Sequence, residues 1–136
     1  MALNSKTITI EKGRDAGKMF VVTEMPVTKA DNWAMRAMFA LANAGIDIGD
    51  VSPSMGMMGI GQVAIKALAN IRAEVGIPLL NELLDCAQIV PSGGNARQIE
   101  VDTDIQDITT LLLLRKEALV IHIGFLMQGG GSDLSS

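Results

Sequence analysis

The chain has 136 residues, of which 49% are hydrophobic and 19% charged, and its net charge is −4. That length and composition suit one domain with its own core and exclude a wholly disordered chain. An acidic balance with no Lys/Arg cluster speaks against nucleic-acid binding, whose grip on phosphates comes from a basic patch. The lone cysteine, Cys86, allows no disulfide within the chain and fits a reducing compartment.

The first element is read at residues 6–12, KTITIEK, where Ile8 and Ile10 alternate with Thr7, Thr9 and Glu11. This is the period of a half-buried strand. Residues 18–24, KMFVVTE, form a second, and the intervening GRDAG closes a hairpin over 6–24. The stretch KGRDAGK resembles a phosphate-cradling loop, but that loop needs four residues between its glycines and a hydroxyl after the lysine. Here three residues separate Gly13 from Gly17, Met19 stands in the hydroxyl position, and a strand follows where a helix is required. The stretch is a turn, and no nucleotide site is expected.

Pro26 ends the second strand, and a helix is predicted over 28–44, capped by Thr28 and stopped by Gly45. Ala30, Trp33, Ala34, Ala37, Met38, Leu41 and Ala44 are assigned to its inner face; Met35, Phe39 and Ala42 fall elsewhere, leaving surplus apolar surface. Residues 46–59 read as a loop, on which Met55, Met57 and Met58 either fold back as plugs over the core, the favoured reading, or offer adaptable contacts to a partner. A helix over 60–75 follows, with Ile60, Val63, Ala64, Ala67, Leu68 and Ile71 inward. Another spans 78–90, with Pro78 in its first turn and Leu79, Leu80, Leu83, Leu84 and Ala87 inward.

Pro91 ends that helix, and PSGGNARQ reads as a flexible loop. The last helix is predicted over 104–127, with Thr103 and Gln106 as a capping box, and it is apolar on nearly every side. Residues 129–136, GGGSDLSS, read as a flexible tail. The expected fold is mainly α with a small N-terminal β-hairpin (α+β), about four helices in one compact domain over 1–128. The longest apolar run, Ala118–Met127, is short of the roughly 20 residues of a membrane span. The first residues lack the basic-then-apolar pattern of a secretion signal. A soluble, cytoplasmic protein is expected.

Little in the chain points to chemistry. Metal sites need clustered His, Cys, Asp or Glu, and the chain has one His and one Cys. His122 sits in an apolar stretch, where a hydrogen-bonded or interface histidine is the simpler reading than a ligand. Cys86 lies among leucines, unlike a reactive thiol in positive, open surroundings. A Cys86–His122 nucleophile pair rests on inventory alone. Asp102, Asp104 and Asp107 fit a helix start, where carboxylates meet the positive end of the dipole. No catalytic set converges, so a non-enzyme without cofactor or metal is expected.

Two stretches, ITIEKGRDAGKMFVVTEMP and ADNWAMRAMFALANAG, resemble the tail assembly chaperones of long-tailed bacteriophages. The matching features are the Ile-Glu-Lys-Gly-Arg-Asp-x-Gly-Lys hairpin, the Thr-Glu-Met-Pro exit and the Trp33-Ala34-x-Arg36-Ala37 helix. A looser pattern, Leu-Arg-x-Glu-x-x-x-x-His-x-x-Phe, spans Leu114 to Phe125. The resemblance implies a small, mostly helical protein in the host cytoplasm, absent from the mature virion. It implies binding to the helical tape measure protein, keeping it soluble while the tail tube protein polymerises around it. In that family a longer version often arises by frameshifting, and the Gly129-Gly130-Gly131 run would suit one, although a flexible tail is the preferred reading of that run. Helix-in-groove contacts made by many copies would supply the affinity, and self-association through the first and last helices is expected. The candidate contact residues are Trp33, Met35, Phe39, Met55, Met57, Met58, Leu113, Ile121 and Phe125. The alternative is a structural virion subunit, a tail completion or tube-associated protein.

Overall fold

The computed structural model describes residues 3–46 and 56–127; the side chains of Met57, Ile60 and residues 123–127 lie outside the described ones. The strands are β1 (Ser5–Thr9), β2 (Met19–Thr23), β3 (Ala87–Val90) and β4 (Arg97–Gln98). The helices are α1 (Val27–Asn43), α2 (Gly56–Asn70), α3 (Ala73–Leu84), α4 (Val101–Asp104) and α5 (Ile108–Met127). The fold is mixed α+β, as expected, but the sheet is larger than an N-terminal hairpin. Its four strands run antiparallel in the order β1-β2-β3-β4. The chain divides into two compact units: Met1–Pro26 with Leu80–His122, and Val27–Leu79 with Ile123–Ser136.

In the first unit the register puts Ile8 opposite Phe20, Phe20 opposite Ile89, and Val22 opposite Ala87. Side chains alternate across a strand, so these residues share one face, and all are buried. Ile10, Met25, Leu83, Cys86, Ile99, Ile105, Leu114 and Ala118 are the other buried apolar residues described in this unit.

The predicted helix over 78–90 is corrected at both ends. Helix α3 begins at Ala73 and holds Pro78 in its interior. It closes with short i→i−3 bonds from the Asp85 and Cys86 amides to Glu82 and Leu83. Residues 87–90 are strand because a paired edge of β2 is available to them, and β-branched Ile89 and Val90 suit the pleated surface. The stretch read as a flexible loop, residues 91–98, is the β3–β4 connection and, at Arg97–Gln98, strand β4 itself, paired with β3.

The predicted helix over 104–127 is also corrected, because it breaks at Ile105–Asp107. Ile105 is extended (φ −122, ψ 125). Asp107, rather than Thr103, caps the long helix: its Oδ1 accepts the Thr109 amide (3.3 Å) and hydroxyl (2.6 Å).

The β1–β2 loop explains the spelling KGRDAGK. Gly13 has φ +87, and a Cβ there would stand 2.7 Å from Oδ2 of Asp107. Left-handed backbone and close approach both demand glycine. Gly13→Ala is expected to lower unfolding free energy by about 1–3 kcal/mol, read as a shift in urea midpoint. Gly17→Ala, also at positive φ (+90) but with no atom within 4 Å, should cost less.

In the second unit α1 ends as predicted. Gly45 (φ +81) donates to Ala42 O and Ile46 N to Leu41 O, the paired bonds of a Schellman stop. Helix α2 starts at Gly56, so Met57 and Met58 lie on a helix and not in the expected loop.

Candidate functional site

Three polar ties hold α5 in the first unit. At its N-terminus the fully buried Asp15, carried by the β1–β2 loop, accepts four hydrogen bonds. They come from the Gln106 amide (2.9 Å), the Asp107 amide (3.1 Å), the Thr110 hydroxyl (2.6 Å) and Lys18 Nζ (2.9 Å). Two of the amides that open a helix thus find their acceptor some 90 residues away in sequence. Burial pushes the Asp15 carboxyl up, but the bonds from Thr110, Lys18 and Gln106 outweigh it and hold the pKa at about 2.

Midway, Lys6 Nζ meets the buried Glu117 at 2.9 Å. Further on, His122 Nε2 accepts the Met25 amide (2.8 Å), while Nδ1 lies 2.6 Å from the Ala118 carbonyl. A carbonyl only accepts, so Nδ1 carries the proton and the ring is neutral. Both ring nitrogens are occupied, so His122 is engaged with the backbone of Met25 and Ala118 and does not serve as the base of a Cys86–His122 pair.

Beside this lies a fork: Arg97 Nη1 and Nη2 bond the two Asp104 oxygens at 2.8 and 2.7 Å. The Arg97 guanidinium and the Glu100 amide bring the Asp104 carboxyl down to about 2. The pair also raises the Arg97 pKa. For both aspartates the folded pKa lies below the ordinary value of 3.8. Their stabilisation is therefore complete above about pH 4 and is lost as pH falls towards 2. Urea midpoints should hold level near neutrality and fall steeply across that window, less steeply in Asp104→Asn. Among the described residues no group of three or more His, Cys, Asp or Glu could hold a metal.

The second unit is built differently. Among the described residues its buried apolar side chains are Ala40, Ile46 and Leu79, and the other buried apolar side chains described belong to the first unit. Most of the exposed large hydrophobics lie in the second unit: Val27, Met35, Met38 and Phe39 on α1, Met58, Ile65 and Leu68 on α2, and Val75 and Ile77 on α3. Successive residues on a helix turn by about 100°. Trp33, Ala37, Ala40 and Ala44 therefore share one side of α1 and are buried or half-buried. Val27, Met35, Met38, Phe39 and Ala42 share the opposite side and are exposed, Phe39 at 71%. Lys29, Asn32, Arg36 and Asn43 fall on one flank between the two.

Helix α2 repeats the arrangement. Val63, Ala67 and Ile71 are half-buried, while Met58, Ile65 and Ala69 look outward with Leu68 beside them. Neither helix is simply a core helix, because apolar stripes run along both of its sides.

The predicted contact residues divide accordingly. Met35 and Phe39 are exposed on the α1 stripe, and Met58, at 81% exposure, belongs to α2 and plugs nothing. Trp33 is half-buried, and its indole N–H donates to the Leu79 carbonyl at 2.9 Å, an anchor within its own unit. Leu113 is half-buried at an open depression of about 290 Å³ lined also by Thr9, Lys12 and Thr109. Ile121 is half-buried. Met55 and the side chains of Met57 and Phe125 lie outside the described residues.

The assignments of Ala34, Met38, Ala64, Leu68 and Leu80 to inner faces are corrected, since all five are exposed. In α1 the line Trp33–Ala37–Ala40–Ala44 sets the inner side, and Ala34 and Met38 lie well round the helix from it. Val27, Ile65 and Leu68 were missed as surface residues; projecting each helix at 100° per residue would have found them. No helix among the described residues is long and apolar enough to cross a membrane. Compared with known proteins, no family model, no curated protein and no solved structure matches the chain.

Proposed function

We propose that this chain is a tail assembly chaperone of a long-tailed phage, a non-enzyme that binds the helical tape measure protein in the host cytoplasm and keeps it soluble for tube assembly. One observation carries the reading: α1 presents Val27, Met35, Met38 and Phe39 to solvent opposite its half-buried Trp33–Ala44 side. A stripe of that kind suits docking against an amphipathic helix, with the two methionines adapting to varied side chains along it. Met58, Ile65 and Leu68 of α2 offer a second such stripe. The resemblance of the hairpin and the Trp33 helix to this family supports the same reading.

Co-expression with a tape measure protein tests it. The chain should move that protein from the insoluble to the soluble fraction, co-purify with it in several copies, and be missing from purified tails. Presence in finished tails at fixed copy number would instead mark a structural subunit. Self-association belongs to the same proposal. Light scattering should give a mass that rises with concentration, and a strict monomer at high concentration would count heavily against it.

A further inference from the structure

No further inference is drawn: the strongest candidate, the edge of strand β1, unpaired among the described residues, together with the depression lined by Thr9, Lys12, Thr109 and Leu113, carries nothing because nothing in the structure shows what covers it.

Discussion

Replacing Asp15 with alanine should destabilise the first unit by about 3–5 kcal/mol, the range for removing one member of a buried, charge-assisted network. Four donors lose their acceptor at once: the Gln106 and Asp107 amides, the Thr110 hydroxyl and the Lys18 ammonium. Thr110 is itself buried, so water cannot readily replace the carboxylate there. At roughly 4 °C per kcal/mol for a chain of this size, the melting temperature should drop by more than about 10 °C. Asp15→Asn keeps one acceptor oxygen and should cost less. An alanine variant that melts within a degree or two of the parent would mean that α5 does not depend on this cap.

The second large effect is on binding. Met35→Ser, Met38→Ser and Phe39→Ser together remove the centre of the outward α1 stripe. Each full burial of such a side chain is worth about 1.5–3 kcal/mol. Losing even roughly 3 kcal/mol in total weakens a complex by about 100-fold, so recovery of the tape measure protein in a pull-down should collapse. Stability should hardly move, because exposed side chains away from core and caps change it by about 0.5 kcal/mol or less. That separation is the useful part of the test. A triple variant with an unchanged melt that still recovers its partner at the parental yield would remove α1 as the contact surface.

The features that local rules decide were legible in the residues. The hairpin follows from Ile8 and Ile10 alternating with threonines. The end of α1 follows from Gly45, and the failure of KGRDAGK as a phosphate loop follows from its spacing. What escaped depends on distant partners. Strand β3 reads as the tail of a leucine-rich helix until β2, more than 60 residues earlier, is there to pair with it. The break before α5 has no local breaker, since no glycine or proline lies between Asp102 and Asp107. The acceptor that meets the helix there is Asp15, and nothing around either segment announces that they touch. The candidate surface was half legible for a different reason. Met35 and Phe39 stand out as apolar residues off the inner face, whereas Met38, which lies on the outward side with them, reads in sequence as an inner residue.

The division of the chain has a consequence for biosynthesis. Each unit is made from two stretches: Val27–Leu79 of the second lies between the two parts of the first, and the second is completed only by Ile123–Ser136. Phe20 and Val22 leave the ribosome early, yet Ala87, Ile89 and Leu114, which share their core, come much later. At about 5–20 residues per second, the nascent hairpin waits roughly 5–20 s before residue 122 is added. During that interval an unfinished sheet shows its greasy side to the cell. Ribosomes stalled near residue 95 should therefore carry a protease-sensitive hairpin, because its β3 partner has not yet emerged.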